Sequence, residues 1–177
     1  LRINDCILKG KDYNDGGARY NTNYIQGVGL GTVTDSLTAI KYQVYDEKKV
    51  KLDSLLDALK VDFKGHEILR QRLLNKTPKY GNDDDYSDSI ARDLSRFWAQ
   101  EVSKYTSPLT GRRYRAGYLS WNYYIDNAAK LASTPDGRKR GRFLSNGVQP
   151  VQGKDVKGPT AAFKSVCKLG YDVVPNG

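Results

Sequence analysis

Residues 15–41 read DGGARYNTNYIQGVGLGTVTDSLTAIK, and this stretch decides the fold. The double glycine at residues 16–17 predicts a turn, residues 19–26 read as extended, and a helix is predicted from about Thr32. Glycines at alternate positions separate the last two segments, and they let the backbone approach another group closely because no Cβ intervenes. We therefore expect a strand or a ligand to pack against these glycines, Gly27, Gly29 and Gly31.

The glycine spacing does not match a dinucleotide-binding loop. The fingerprint Gly-x-Gly-x-x-Gly needs a glycine where this chain has Thr32. An acid about 20 residues further on is present at Asp46 or Asp53, but no second strand is evident there. The sequence also lacks the Gly-Lys-Thr/Ser of a phosphate-binding loop. Protein packing against the glycines is therefore favoured over nucleotide binding.

The composition predicts one domain with an aromatic-rich core. The chain has 177 residues, of which 38% are hydrophobic and thirteen are tyrosines, and this length suits a single domain. It begins at Leu1 and contains no methionine, so we expect a processed chain or a piece of a longer one. No apolar run approaches the roughly 20 residues that cross a bilayer, and no membrane contact is predicted.

The thiols and metal-ligand residues are too few or too scattered for a metal site. Cys6 and Cys167 lack Cys-x-x-Cys spacing, and two reduced thiols are favoured over one long-loop disulfide. A zinc site needs about four ligands, and the only histidine, His66, reads as a surface residue at a helix start. The acidic run at residues 82–85 lacks the glycine and glutamate of a calcium loop, so helix capping explains it better.

Helical periodicity dominates residues 32–105. Helices are predicted over residues 32–45, 53–61, 67–75 and 86–105, with later ones over 126–132 and 160–169. Residues 114–124, rich in Tyr and Trp, read as extended, and residues 134–137 as a turn. The apolar positions predict buried stripes on the four main helices: Val33, Leu37, Ile40 and Val44; Leu55, Leu56 and Leu59; Ile68, Leu69, Leu73 and Leu74; Ile90, Leu94, Phe97, Val102 and Tyr105.

The positive charge is concentrated in one region. The formal net charge is +9, and residues 111–142 contain eight basic and two acidic side chains. Bases and aromatics interleave there, as in proteins that bind single-stranded nucleic acid. The favoured alternative is that the aromatics pack inward while the arginines pair with carboxylates of a larger protein. A basic, aromatic nucleic-acid-binding module remains the hypothesis from a different class.

Six blocks of the chain carry a family resemblance: residues 15–21, 26–29, 35–41, 75–85, 134–138 and 158–162. Together they resemble glycyl radical enzymes, the pyruvate formate-lyase superfamily, and they fall in family order across nearly all 177 residues. The resemblance is nearest to the dehydratase and carbon–nitrogen lyase branch, which includes trans-4-hydroxyproline dehydratase and choline trimethylamine-lyase.

The resemblance implies an α/β fold, with residues 1–177 forming a single segment of a ten-stranded α/β barrel. It implies a cytoplasmic enzyme of anaerobic metabolism that carries out radical dehydration or lyase chemistry on a small polar substrate. Pyruvate formate-lyase-type acyl transfer is the alternative within enzymes. No cofactor is expected to bind directly; a radical SAM activase with a 4Fe–4S cluster would install a glycyl radical, and the enzyme would be a homodimer.

The two radical motifs of the family are absent from this sequence. The Gly-Cys-x-Glu motif of the radical cysteine and the Arg-Val-x-Gly glycyl loop do not occur in residues 1–177. Cys6 and Cys167 do not match the thiyl position, so no catalytic residue is expected in this chain. We expect the segment to be inactive alone, and treatment with an activase to produce no glycyl EPR doublet.

The resemblance also implies which residues bind substrate. The extended block is expected to line the barrel, with Tyr118 first, followed by Trp121, Asn122 and Tyr123. Strand alternation would place Tyr118 and Asn122 on one face. Gly27 and Gly29 would let a barrel strand and its following helix pack tightly behind the radical site. The turn at residues 16–17 would shape the rim of the barrel. Arg19 would form a structural ion pair. The structural motif comprises Gly16, Gly17, Arg19, Tyr20, Asn21, Gly27 and Gly29.

Overall fold

The computed structural model describes residues 3–172, which form a helix-rich α/β segment with one pair of strands. A 3₁₀ turn at Tyr13–Asp15 precedes the first strand, and a π-helical stretch at Ile40–Asp46 continues the second helix. The elements in chain order are α1 (Cys6–Lys9), β1 (Tyr24–Gln26), α2 (Leu30–Ala39), α3 (Leu52–Lys60), α4 (Glu67–Asn75), α5 (Asp85–Ser103), β2 (Arg115–Gly117), α6 (Tyr123–Lys130) and α7 (Pro159–Cys167).

The two strands are parallel although they are far apart in the chain. Tyr24 pairs with Arg115, Ile25 with Ala116, and Gln26 with Gly117. Parallel strands need a long crossover, and helices α2 to α5 supply it. Helix α5 packs against both β2 and α2, so one face of the strand pair is covered by helix.

The core consists of two apolar clusters. The larger one joins α5 to β2 and to the start of α2, and it contains Leu30, Tyr80, Ala91, Ala99, Val102, Ala116, Tyr118 and Leu169. The smaller one packs the end of α2 against α3 and α4, and it contains Ala39, Val50, Leu55, Ala58, Phe63 and Leu73.

The predicted buried stripes are wrong at several positions, because small residues occupy the helix interfaces instead. On α2, Thr34 and Thr38 are buried whereas Val33 and Leu37 are exposed. On α5, Ala91, Ser95 and Ala99 face inward. Small side chains let two helices approach closely, and α2 and α5 make the most extensive helix contact described. The other large side chains predicted to be buried but found exposed are Leu56, Ile68, Phe97 and Tyr105.

Several predicted boundaries are also corrected. Helix α2 begins at Leu30 rather than Thr32, after Gly29 in the left-handed region at φ 87°. Lys51 rather than Asp53 is the N-cap of α3, and α7 starts at Pro159 rather than Thr160. The prediction that residues 114–124 are extended is wrong beyond β2, because α6 starts at Tyr123. No helix within residues 3–172 is both long and apolar enough to span a bilayer.

Candidate functional site

The two strands end side by side, and their carboxyl ends define the candidate site. In α/β folds with parallel strands, ligands bind beyond the carboxyl ends of the strands. Here β1 leads into residues 27–29 and β2 into residues 118–122. We call these two segments, together with Gln26 and Tyr123, the strand-end site.

The glycines after β1 are packed against protein side chains and backbone. A Cβ on Gly27 would lie 2.9 Å from Cε1 of Tyr118 and 3.2 Å from Nε1 of Trp98. A Cβ on Gly31 would lie 2.8 Å from the carbonyl oxygen of Gln149. Contacts below 3.0 Å exclude a larger residue unless something shifts. The close contacts at Gly27 and Gly31 therefore favour protein packing over a bound ligand at these positions.

The structure places Tyr118 on the helix-covered face of the strands. Its side chain is 3% exposed and belongs to the same cluster as Ala116 and the small residues of α5. Burial raises the pKa of the Tyr118 phenol, and the neighbouring Ser95 hydroxyl opposes part of that rise. The phenol is therefore protonated at neutral pH. The predicted common face for Tyr118 and Asn122 is wrong, because the chain leaves the extended conformation between them.

The other three predicted residues come together in the loop after β2. Trp121 has φ 47° and is 71% exposed, Asn122 is the N-cap position of α6, and Tyr123 is exposed at the start of that helix. Together with Asp126 they line an open depression of about 470 Å³. This depression contains indole, amide, phenol and carboxylate groups, which is a suitable set for a small polar molecule.

Two residues that the sequence analysis did not identify hold this loop in place. Gln26 accepts a hydrogen bond at Oε1 from the backbone N–H of Leu119, at 2.7 Å. The buried Ser120 accepts one at Oγ from the N–H of Gly147, at 2.6 Å. Its carbonyl oxygen accepts another from Tyr123, at 3.0 Å. No local sequence signal marks the Gln26–Leu119 and Ser120–Gly147 contacts, since each joins segments that are distant in the chain.

The turn before β1 is held by specific contacts. Arg19 forms an ion pair with Asp5, with Nη2 2.8 Å from Oδ1. Asn21 donates a hydrogen bond to the carbonyl oxygen of Tyr13 at 2.9 Å. A Cβ on Gly17 would overlap the carbonyl of Lys11, so the predicted double-glycine turn needs glycine at this position. Tyr20 is exposed.

The acidic run before α5 caps the helix, as predicted. Asp84 accepts a hydrogen bond at Oδ1 from the N–H of Tyr86, at 3.0 Å. Lys168, beyond α7, contacts three carboxylates, those of Asp83, Asp85 and Asp88. These carboxylates raise the pKa of the Lys168 ammonium. Within residues 3–172, no set of three or more potential ligand side chains is arranged for a metal ion.

A buried polar cluster joins three of the sequence blocks behind the strand-end site. The carboxylate of Asp35, on α2, accepts a hydrogen bond from the N–H of Tyr80 at 2.9 Å. The buried Lys79 donates to the carbonyl oxygen of Asp136 at 3.4 Å. Burial raises the pKa of Asp35 to about 7, against the opposing effect of Lys79. Burial also lowers the pKa of Lys79, which Asp35 partly offsets.

The raised pKa of Asp35 predicts that the chain is more stable at pH 5 than at pH 8. An acid whose pKa is higher in the folded state binds its proton more tightly there, so stability falls as pH rises from about 4 to 7. We expect a contribution of about 2–3 kcal/mol between pH 8 and pH 5. Asp35→Asn retains an acceptor for Tyr80 and should remove this contribution, as measured by urea unfolding at both pH values. Asp57→Asn, on the exposed face of α3, should leave the pH dependence unchanged; equal pH dependence in the wild type and Asp35→Asn would contradict the prediction.

Comparison with known sequences shows the family. A family model described as Pyruvate formate lyase-like matches residues 1–126. The chain is 47% identical over 169 residues to trans-4-hydroxy-L-proline dehydratase of Clostridioides difficile, covering 96% of this chain and 21% of the relative. It is 40% identical over 147 residues to isethionate sulfite-lyase of Desulfovibrio desulfuricans, covering 83% of this chain and 18% of the relative. The chain thus spans about a fifth of the length of the curated relatives it matches.

Comparison with solved structures agrees. Hydroxyproline dehydratase from Clostridioides difficile, with trans-4-hydroxy-L-proline bound, matches with a TM-score of 0.90 and 47% identity, over 97% of this chain and 22% of that one. B12-independent glycerol dehydratase from Clostridium butyricum matches with a TM-score of 0.88 and 42% identity, over 97% and 22%. These neighbours confirm the predicted fold class, a helix-rich α/β segment of the glycyl radical enzyme barrel type. The chain belongs to the pyruvate formate lyase-like family.

Proposed function

We propose that this chain is a segment of the barrel domain of a glycyl radical enzyme that dehydrates or cleaves a small polar substrate. The observation that carries the proposal is the strand-end site, where Trp121, Asn122 and Tyr123 line an open depression in the segment that follows β2. The chain that forms this site is 47% identical to a trans-4-hydroxy-L-proline dehydratase and 40% identical to an isethionate sulfite-lyase. Both names describe elimination from small polar molecules.

The side chains of the site have distinct roles in this proposal. The amide of Asn122 offers both a donor and an acceptor to a substrate hydroxyl or carboxylate. Trp121 and Tyr123 form apolar walls that orient the carbon skeleton and exclude water. Tyr118 supports the loop from the helix side, where its ring packs against Gly27. Trp121, Asn122 and Tyr123 bind and orient the substrate in this proposal, Tyr118 supports their loop, and none of the four is proposed to react.

The reaction itself requires a group that residues 1–177 do not carry. A glycyl radical, which a radical SAM activase would generate, supplies hydrogen-atom abstraction that ordinary side chains cannot start. The contribution of this segment is to hold the substrate in one orientation, since correct orientation supplies a large part of catalysis. The proposed partners are the activase, the remainder of the barrel and a second copy of the enzyme.

The test uses the full-length enzyme that contains this segment, activated anaerobically by its radical SAM partner. We expect a glycyl EPR doublet, and turnover of at least one of trans-4-hydroxy-L-proline, glycerol, 1,2-propanediol and isethionate. Asn122→Ala should lower kcat/KM about 10–100-fold without changing the doublet, because the radical is installed independently of substrate.

The matched control is Asn75→Ala, since Asn75 bonds only to Gln71 on the exposed surface of α4 among the described contacts. It should retain wild-type kcat/KM. A doublet without turnover of any compound would contradict the proposed reaction class. Equal kcat/KM for the two asparagine variants would contradict the proposed role of Asn122.

A further inference from the structure

We propose that Gln26 is a positioning residue that sets the path of the loop after β2 and thereby the substrate preference of the enzyme. The inference rests on the proposed function, because it assumes that the loop carries the substrate-binding side chains. It assigns a role to a side chain on the face of the strands away from α5. In an α/β barrel, whose helices lie outside, that face lines the interior.

The side chain of Gln26 lies directly across Gly117. The two residues are register partners in the parallel pair, so they share a face of the sheet. A Cβ on Gly117 would lie 2.5 Å from Oε1 and 3.0 Å from Nε2 of Gln26. The absence of a side chain at position 117 therefore admits the carboxamide, and the two residues act as a unit.

The carboxamide of Gln26 accepts the hydrogen bond that the backbone of β1 would otherwise accept from Leu119. The N–H of Gly27 donates to the carbonyl oxygen of Gly117 at 2.8 Å, and the chain then turns through Gly29 into α2. The N–H of Leu119, two residues beyond the end of β2, thus has no backbone partner in β1. Oε1 of Gln26 accepts from it at 2.7 Å. The Gln26 side chain therefore continues the hydrogen bonding between the two strands after the backbone of β1 has turned away.

This hydrogen bond fixes the start of the loop that presents the proposed substrate-binding residues. The loop turns at Trp121, whose left-handed φ of 47° makes the path sensitive to its anchors. Ser120 holds the middle of the loop through Gly147, and Gln26 holds its beginning. Without the first anchor, the indole and the Asn122 amide lose their fixed orientation. A displacement of about 1 Å at a substrate-positioning group can cost about 100-fold in rate.

Two substitutions separate the hydrogen bond from the bulk of the side chain. Gln26→Met keeps the length of the side chain but removes the carbonyl acceptor. Gln26→Glu keeps an oxygen acceptor for Leu119, replaces the Nε2 donor with a second oxygen and adds a negative charge. The matched control is Gln43→Met, since Gln43 is also a glutamine whose amide bonds backbone, at the carbonyl oxygen of Lys76, far from the strand ends.

The experiment measures the full-length activated enzyme with the four compounds named above. Gln26→Met should raise the KM of the preferred compound about tenfold or more, with the EPR doublet unchanged. It should also reduce the ratio of kcat/KM between the preferred compound and the other three. Gln26→Glu should raise KM less than Gln26→Met does, because it retains the acceptor for Leu119 although it adds a charge. Gln43→Met should keep the wild-type KM. A wild-type KM in Gln26→Met, or equal loss in Gln26→Glu or Gln43→Met, would overturn the proposal.

Hydrogen exchange at the Leu119 amide tests the same inference without substrate. In the full-length protein, Gln26→Met should speed this exchange about tenfold or more, and Gln26→Glu should not. Unchanged exchange in Gln26→Met would overturn the positioning role even where turnover is seen. If the Leu119 amide of Gln26→Met exchanges faster but the enzyme turns over none of the compounds, the proposed reaction class is contradicted and the positioning role of Gln26 is not.

Discussion

Arg138→Met is expected to destabilise the chain by about 3–5 kcal/mol, because it removes a largely buried guanidinium whose charge-assisted hydrogen bonds are each worth about 1.5–3 kcal/mol. Arg138 is 6% exposed. Its guanidinium donates to the carbonyl oxygens of Ala132 and Arg142, the latter at 2.7 Å, and to Oγ1 of Thr134 at 3.1 Å. The loop over residues 132–142 is thus closed around one side chain.

Arg140→Met is the matched control for this prediction. Arg140 lies two positions along the same basic run, and its side chain is exposed. Because exposed substitutions usually change stability by about 0.5 kcal/mol or less, this variant should unfold like the wild type. Urea unfolding followed by tryptophan fluorescence would measure both. Similar midpoints for the two variants would show that Arg138 does not organise the loop.

Gly81→Ala is expected to cost about 2–5 kcal/mol, from two independent sources. Gly81 has φ 94°, and a left-handed conformation costs a residue with a Cβ about 1–2 kcal/mol. The new Cβ would also overlap the Pro150 ring, lying 2.6 Å from its Cβ, and overpacking adds about 1–3 kcal/mol. The ring is backbone-linked and cannot move aside without shifting the segment that carries Val148.

Gly65→Ala separates these two costs. Gly65 has a comparable φ of 77°, but a Cβ there would meet nothing within 4 Å. It should therefore cost only the backbone part, about 1–2 kcal/mol. The difference between the two alanine variants in unfolding free energy measures the Pro150 contact. If Gly65→Ala is as destabilising as Gly81→Ala, the overlap with Pro150 contributes nothing.

Two arginines of the basic region, Arg112 and Arg138, make hydrogen bonds inside the structure. Residues 138–142 belong to the basic region whose composition suggests a nucleic-acid surface as one alternative. The structure uses Arg138 to satisfy backbone carbonyls, and Arg112 donates to the carbonyl oxygen of Asn21 at 3.0 Å. The guanidinium groups of both residues thus make structural hydrogen bonds. The number of basic residues in the sequence is the same whether their side chains bind nucleic acid or make hydrogen bonds within the protein.

The sequence by itself determined the local elements and the family. Helix α4 is predicted over residues 67–75, and the structure has Glu67–Asn75. The turn over residues 134–137 is confirmed by a hydrogen bond from Gly137 to Thr134 at 3.0 Å. These predictions succeed because periodicity, capping and proline act over a few neighbouring residues.

Only the tertiary structure decided which residues meet at the candidate site. The parallel pairing of β1 with β2 joins segments about 90 residues apart, and it alone brings Gln26 to Leu119. It also places Tyr118 against α5 instead of on the same face as Asn122. Burial and hydrogen bonding at these positions depend on distant partners, and local periodicity carries no information about which partner a strand will find.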